Sequence, residues 1–421
     1  MYKSSIILCV CLLLTGCKKH ASVQNNESDS VYSVTQEGQD LFEIDIKDCV
    51  KDAVEGEDIY MSQFFESMEY IPLETTNESL IGNGRFVSLG HLVSDKIIIV
   101  DMKIFDRKTG KYLSALSSRG QGPKEYLEVF STAADDEREE IYFYSGAKIQ
   151  VFGYDNTYKK TIKYADEPSV FSLGNGNLLL ARGIFMNCTY DDYCVLNVDS
   201  NEILYTRRSS ALLNCKDLNE CKHLVKRGES YASMGANMFW EYDDGVRYYD
   251  YLTDTVYAIN KKFEAVPIGH INFEDLKQTK EELYIGSKGD FLYWRLLDIA
   301  ESPQFLYIYI TASNQERKER KYYMIVYKKD TKEIKTYYGR DGFSIHNPIH
   351  NDIDNGVTGL FLDRDQGGHL GYRIFSSESI KENADENGKK IYNPLLYDKY
   401  VKMAESLKDD DNGVVSIVTL K

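Results

Sequence analysis

Ile141-Tyr142-Phe143-Tyr144-Ser145-Gly146-Ala147-Lys148-Ile149-Gln150-Val151-Phe152 reads as two apolar strands joined by a tight turn at Ser145-Gly146, and a second turn at Asp155-Asn156 leads to a third strand from Lys160 to Tyr164. The same grammar occurs upstream, where Ile97-Ile98-Ile99-Val100-Asp101 and Lys103-Ile104-Phe105-Asp106 are followed by the turn Arg107-Lys108-Thr109-Gly110 and by Lys111-Tyr112-Leu113. Less regular copies follow. One runs from Leu178-Leu179-Leu180 through Cys194 to Val198 and Ile203 to Tyr205, and another from Val246 to Tyr249 through Thr255 to Ile259 and Ala265-Val266. A third covers Leu306 to Ile310, Tyr322 to Tyr327 and Ile334 to Tyr338, and the last combines Gly359 to Leu362 with the terminal Val414 to Val418.

Six repeats of strand, turn, strand, turn, strand at an irregular spacing of about 45 to 65 residues suit propeller blades carrying insertions better than a solenoid. The expected fold is all-β, a six-bladed β-propeller over residues 41–421. A small sheet cannot bury both faces alone, so the blades must stack into a ring, and closing that ring requires the two ends of the chain to meet. Phe42, Ile44 and Ile46 alternate with Glu43 and Asp45, the pattern of a half-buried strand. This strand is expected to pair into the blade made by Val414 to Leu420, leaving no open edge. A helix is expected in the last blade's excursion: Asn393 caps it, Pro394 fits its first turn, and Leu395, Leu396, Val401, Ala404 and Leu407 carry its apolar spacing. The run Asp409-Asp410-Asp411-Asn412-Gly413 stops it.

The balance of 50 Lys and Arg against 66 Asp and Glu gives the 421-residue chain a net charge of -16, which repels phosphate backbones and argues against nucleic acid as a partner. Tyrosine is the compositional outlier at 33 residues; it suits half-buried strands and also flat carbohydrate or peptide surfaces.

Ahead of the repeats, Lys3 and the apolar run Ile6 to Leu14 have the shape of a signal-peptide core too short to span a bilayer. The stretch Leu14-Thr15-Gly16-Cys17 that follows resembles a bacterial lipobox. The resemblance implies residues 1–16 as signal peptide, cleavage before Cys17, and Cys17 as the lipid-attachment residue that anchors the mature chain to the membrane. No apolar run of membrane-spanning length occurs after it, and residues 17–40 read as a polar tether. Lys18 after the cysteine implies, by the same resemblance, sorting to the outer membrane. The acidic run of surface-exposed lipoproteins is missing from Lys18-Lys19-His20, so the periplasmic and the outer face both stay open.

Three stretches together carry a family resemblance: Tyr70-Ile71-Pro72-Leu73-Glu74-Thr75, the loop Ser118-Arg119-Gly120-Gln121-Gly122-Pro123-Lys124-Glu125-Tyr126, and Met403 to Gly413 before the final strand. They resemble the six-bladed β-propeller lipoproteins of Bacteroides-type bacteria, which are similar to NHL-repeat and TolB-like propellers. Where the family loop reads Gly-Pro-Gly-Glu-Tyr this chain has Lys124, and where the tail often reads Asn-Pro it has Asn412-Gly413.

Candidate chemistry is sparse. The glycine-rich 119–123 loop offers backbone amides to an anion, but no phosphate-loop Lys-Ser/Thr follows, and an outer strand turning into the next blade needs the same glycines. Arg119, Lys124 and Tyr126 are its candidate ligand-facing residues. Asp363-x-Asp365-x-Gly367-Gly368 begins like a calcium loop, yet the twelfth position is Ile374, and a polar hairpin is the better reading. Pro348 between His346 and His350 removes helical spacing. Asp135 to Glu140 and Asp191-Asp192 read as solvated charged loops. Of the cysteines left after the lipobox, Cys49, Cys188, Cys194, Cys215 and Cys221, an odd number leaves at least one unpaired; local bridges, buried thiols and a zinc site with His223 all remain open.

No catalytic or cofactor motif is legible. The expected function is a membrane-anchored binding or scaffold propeller of the cell envelope, taking a carbohydrate, a peptide or another envelope protein. The alternative is a metal-dependent hydrolase or lyase of the lactonase-like propeller type.

Overall fold

Strands that are apolar along their whole length need packing on both faces, and the architecture supplies it. The computed structural model describes residues 41–55, 57–81, 90–122, 124–165, 168–181, 191–209, 224–227, 230–233, 237–273, 276–277, 293–313, 320–339, 349–359, 363–385 and 390–421. Strand β1 (Phe42–Asp45), helix α1 (Ile46–Lys51), β2 (Ile59–Tyr60) and β3 (Phe65–Pro72) precede the first blade. Blade 1 holds β4 (Leu92–Val93), β5 (Ile97–Val100), β6 (Lys103–Asp106) and β7 (Tyr112–Ala115); blade 2 holds β8 (Ser131–Asp135), β9 (Glu140–Tyr144), β10 (Lys148–Gly153) and β11 (Tyr158–Lys163). Blade 3 holds β12 (Ser169–Ser172), β13 (Asn177–Ala181), β14 (Asp191–Asn197) and β15 (Glu202–Arg208), and a separate hairpin follows, β16 (Leu224–Arg227) with β17 (Ser230–Ser233). Blade 4 holds β18 (Met238–Tyr242), β19 (Gly245–Asp250), β20 (Thr255–Ile259) and β21 (Ala265–Asn272). Blade 5 holds β22 (Tyr293–Glu301), β23 (Phe305–Ser313), β24 (Arg320–Lys328) and β25 (Ile334–Gly339), and β26 (Ile349–His350) then pairs with β2. Blade 6 is β27 (Asp363–Arg364), β28 (Leu370–Phe375) and β29 (Val414–Leu420), with β3 as its fourth strand. The fold is the expected all-β six-bladed propeller.

Six apolar clusters separate six pairs of neighbouring blades. In β5, Ile97 and Ile99 pack toward blade 2, while Ile98 and Val100 pack toward blade 6. This is the period-2 alternation of a strand with both faces buried, and it explains why the sequence reads as an unbroken apolar run. In the same way Tyr142 and Tyr144 face blade 3, whereas Ile141 and Phe143 face blade 1. Further clusters join blades 3 to 4, 4 to 5 and 5 to 6, so the chain of contacts runs round the whole ring. Each fully buried side chain of this size contributes about 1.5–3 kcal/mol.

Closure differs from the expectation. The final strand β29 pairs antiparallel with β3, in register Val414 to Pro72, and not with Phe42 to Ile46. Strand β1 instead adds parallel to the outside of blade 4, with Phe42 opposite Gly269, and Ile46 opens helix α1 under the Asp45 cap. The reason is steric as well as hydrophobic: a Cβ on Gly269 would stand 2.5 Å from the Phe42 ring, so glycine leaves the surface on which that ring lies. Ile44 and Ile46 are both fully buried there.

Two helices sit between β28 and β29: α2 (Ser377–Asn383) and α3 (Pro394–Ser406). As expected, Asn393 caps α3 by accepting a hydrogen bond from Leu396 N–H, and Pro394 occupies its first turn. The buried face is the expected one in its second half, with Ala404 and Leu407 buried and Val401 packed beside them, but in the first half Tyr397 and Tyr400 pack inward while Leu395 is 69% exposed. The tyrosine hydroxyls tie α3 to α2, Tyr400 donating to Ile380 O (2.9 Å) and Tyr397 to Ala384 O (2.8 Å).

Candidate functional site

Where the seam between blades 4 and 5 runs out of apolar residues, a cleft of about 350 Å³ opens. Alternation builds it. Trp240 and Tyr242 on β18, and Arg247 on β19, share the face toward blade 5, Trp240 standing opposite Arg247 in the antiparallel register. From the other side, Leu306 and Tyr327 continue the apolar face of blade 5, and Glu301 at the end of β22, with Lys329 and Lys332 beyond β24, supplies the charge. The turn Asp243-Asp244, with φ of 51° and 53°, is the left-handed pair that a two-residue hairpin between β18 and β19 requires.

Glu301 is buried and doubly partnered. Trp240 Nε1–H donates to its Oε2 (2.9 Å) and Lys329 Nζ to its Oε1 (2.7 Å). Lys329 also donates to Ser302 O (2.7 Å) and lies 4.2 Å over the Tyr242 ring, a cation–π contact. Arg247 lies 5.1 Å from the centre of the same ring. Its Nε is 3.9 Å from Glu301 Oε2, beyond hydrogen-bond reach, and is buried with no hydrogen-bond partner among the described residues. An unsatisfied buried donor costs about 1–3 kcal/mol. The cleft therefore sets three cations and an apolar wall, including Phe42 and Ile268, against one carboxylate, in a chain whose net charge is -16.

The propeller axis is occupied differently. The hairpin between β27 and β28, the stretch read above as a polar turn, reaches across the ring. Gln366 N–H donates to Val93 O of blade 1 (2.7 Å), its Oε1 accepts from Ala134 N–H of blade 2 (3.0 Å), and its Nε2 donates to Glu241 Oε1 of blade 4 (2.7 Å). A residue that bonds to three other blades lies across the channel as a plug. Gly368 seats it: a Cβ there would come within 2.4 Å of the Glu241 backbone. Burial, with the Asp365 carboxylate nearby, pushes Glu241 up to about 8, and burial pushes Asp365 up to about 6. Asp298 reaches solvent but is hemmed in by protein, and the resulting desolvation raises it to about 6 even though it accepts from Ile299 N–H (2.8 Å). Desolvation lowers Arg364 between them. Among the described residues no group of three or more His, Cys, Asp and Glu side chains converges to hold a metal ion.

The other sequence-derived candidates fall elsewhere. The 118–126 loop connects the outer strand of blade 1 to the inner strand of blade 2, remote in topology from the cleft. Its Gly122 N–H is taken by the loop's own Glu125 carboxylate (2.7 Å), which also fills the space beside Gly120. Arg119 Nε donates to Leu127 O (3.1 Å), Lys124 lies 4.8 Å over the Tyr158 ring, and Tyr126 packs edge-on against Phe143. Cys17 lies outside the described residues, as do Cys188, Cys215, Cys221, His223 and His346. Cys49 is a buried free thiol that burial pushes up to about 12, and Cys194 is buried with its Sγ 3.3 Å from the Tyr164 hydroxyl. His350 pairs with Asp58 (2.9 Å).

The acidic stretches are a correction, because they are not simply solvated. Asp135 and Glu140 are buried: Asp135 accepts from Gly176 N–H of blade 3, and Glu140 accepts from Arg138, Lys159 and the Tyr142 hydroxyl. Asp136 accepts from Ser94 Oγ of blade 1 and from Tyr154. Asp192 is buried opposite Asp250, and desolvation together with that second carboxylate raises it. Asp135 and Asp136 latch blade 2 to its neighbours, whereas the partners of Glu140 lie within blade 2 itself. Sequence reading missed Arg247, Glu301, Lys329 and Lys332; the available signal was a charge at core parity, Arg247 between Val246 and Tyr248, and Glu301 closing Ile299-Ala300.

These features define a six-bladed β-propeller with a plugged axis and a cationic side cleft. The chain belongs to the family described as Domain of unknown function (DUF4934), which matches residues 41–419. No curated protein matches it. Among solved structures it is similar to a protein of Bacteroides fragilis NCTC 9343 described as exported, at 17% identity and a TM-score of 0.57, over 90% of this chain and 99% of that one. A member of the duf4221 family from Bacteroides vulgatus ATCC 8482 is more distant, at 10% identity and a TM-score of 0.38, over 85% of this chain and 97% of that one. At 17% identity the likeness to the B. fragilis protein is one of fold.

Proposed function

We propose that this chain is a non-enzymatic binding propeller of the cell envelope, held to the outer membrane by a lipidated Cys17 and the polar tether 17–40, and that it takes its ligand in the cleft between blades 4 and 5. The observation that carries the binding role is the cleft itself, a half-open space of ligand size whose apolar wall meets a concentration of cations. The plug at Gln366 supports it by occupying the axis. Support for the address is the lipobox resemblance at Leu14-Thr15-Gly16-Cys17 and the exported B. fragilis relative of the same fold.

The address is tested by Cys17→Ala in the full chain. The variant is expected to leave the membrane fraction for the detergent-poor phase with unchanged thermal unfolding, and unchanged detergent partitioning would defeat the anchor. Protease shaving of intact cells then assigns the face of the membrane. The binding role is tested by Ile268→Trp, which fills the cleft from its half-buried wall; ligand capture is expected to fall while the fold persists.

A further inference from the structure

Resting on the cleft reading above, we infer that the ligand presents a carboxylate, which the Arg247 guanidinium grips through two parallel hydrogen bonds. Arg247 is the one cation lining the cleft whose side chain makes no hydrogen bond among the described residues; its ion pair with Glu301 is a loose one, at 3.9 Å. Lys329 is committed to Glu301, Ser302 O and the Tyr242 face, and Lys332 has contacts of its own. A guanidinium is always charged and carries a rigid fork of donors, so a planar two-oxygen anion is its geometric complement. Its place is also held. The Tyr242 ring fixes the guanidinium by cation–π contact at 5.1 Å, and the stem lies in a strand paired on both sides, so little side-chain freedom is lost on binding.

Glu301 narrows the class further. It is buried, stands 3.9 Å from Arg247, and is held by Trp240 and Lys329 so that it cannot swing away. A dianion such as phosphate entering the Arg247 site would meet that fixed negative charge at close range in a poorly solvated cleft, whereas a monoanion meets half the repulsion. The remaining wall, Phe42, Ile268 and Leu306, is apolar and suits the C–H face of a sugar acid such as a hexuronate. Tyr242 and Tyr327 already spend ring faces on Lys329 and Phe42, so the charged group, and not ring stacking, supplies the specificity.

The test uses the full chain in detergent and titration calorimetry with D-glucuronate, D-glucose and inorganic phosphate at millimolar concentrations. Glucuronate is expected to bind, with glucose and phosphate each weaker by about tenfold or more. Arg247→Met, which keeps the alkyl stem, is expected to lose about tenfold or more of the glucuronate affinity and to leave the weak glucose binding unchanged; Arg247→Lys, keeping charge without the fork, falls between. Unfolding temperatures of all variants establish that each is folded. Absence of glucuronate binding, equal binding of glucose, tighter binding of phosphate, or undiminished binding by Arg247→Met each overturns the carboxylate assignment. If glucose binds as well as glucuronate and both are lost in Ile268→Trp, the cleft remains the ligand site and only the charge assignment falls; if binding survives Ile268→Trp, the cleft reading falls as well.

Discussion

The Asn412 side-chain amide donates to Glu74 O at 2.8 Å, joining the end of the chain to the segment that leaves the closing strand. The same amide donates to Ser79 O (2.9 Å), its Oδ1 accepts from Ile81 N–H (2.8 Å), and Asn412 N–H donates to Thr75 Oγ1 (2.8 Å). Asn412 is 2% exposed, and every donor and acceptor of its side chain in contact with this loop serves the backbone. Two stretches that look unrelated in sequence, Tyr70 to Thr75 and the tail ending at Asn412-Gly413, are thus one joint, the clasp of blade 6.

Asn412→Ala strands the Glu74 and Ser79 carbonyls and the Ile81 amide in a buried setting, so it is expected to destabilise the chain by about 2–4 kcal/mol. Asn412→Asp is expected to do no better, because it sets a carboxylate against two carbonyls. Chemical denaturation of both variants with the wild type checks this, and a loss below about 1 kcal/mol for Asn412→Ala contradicts the clasp.

Gly110 marks the other side of the same joint. Its φ is +67°, its carbonyl accepts from Glu74 N–H (2.9 Å), and a Cβ would stand 2.0 Å from Pro72 O. Gly110→Ala is expected to cost more than 3 kcal/mol, roughly, by combining left-handed strain with a backbone clash. Gly146, at φ +54° with nothing within 4 Å, isolates the strain alone, and Gly146→Ala is expected to cost about 1–2 kcal/mol. Equal unfolding midpoints for the two variants would show that the contact with Pro72 does not matter.

The blades were legible in the sequence because a strand buried on both faces keeps an unbroken apolar run, as Ile97 to Val100 and Ile141 to Tyr144 do. The closing strand was not legible. An outermost strand buries little, and Phe65–Pro72 carries Glu66, Ser67 and Glu69 on its open side, so it alternates less cleanly than Phe42 to Ile46, which competes for the same reading. The cleft was hidden for a different reason. Arg247, Glu301 and Lys329 lie on or just beyond three separate strands and meet only through the packing of blade 4 on blade 5, so no local spacing records them. The acidic run Asp135 to Glu140 looked solvated because two of its partners, Gly176 and Lys159, are remote in sequence.

Closure by β3 and not β1 separates two deletions. Removing the last ten residues takes away all of β29, the strand between β28 and β3, together with Asn412, and is expected to abolish cooperative unfolding. Removing residues 41–46, with the segment before them retained, strips the outer edge of blade 4 and the cap and first residue of α1. It is expected to leave a cooperative transition lowered by about 3–6 kcal/mol, the burial of Ile44 and Ile46. Calorimetry on both distinguishes the strands, and a cooperative transition in the first variant would mean that the ring does not close through β29.

The plug makes stability depend on pH. Glu241 is held up to about 8 by burial and by the Asp365 carboxylate, with the Gln366 amide as its hydrogen-bond donor and Tyr372 beside it. Its value in the unfolded chain is the ordinary 4.5, so between about 4.5 and 8 the folded state holds a proton that the unfolded state has released. Stability therefore falls as pH rises through that window, by about 1 kcal/mol per pH unit for one such proton, and levels off above about 8. Asp365, raised to about 6, contributes in the same direction only over the lower part of the window, while Asp192, raised by burial and by the neighbouring Asp250 carboxylate, adds in the same direction across the whole of it. Glu241→Gln keeps an amide able to meet Gln366 and removes the titration, so it is expected to gain stability over the wild type at pH 8 and to flatten, without abolishing, the slope between pH 6 and 8. Denaturation midpoints for both proteins at pH 6, 7 and 8 measure it, and parallel lines would show that Glu241 is ionised in the folded ring throughout.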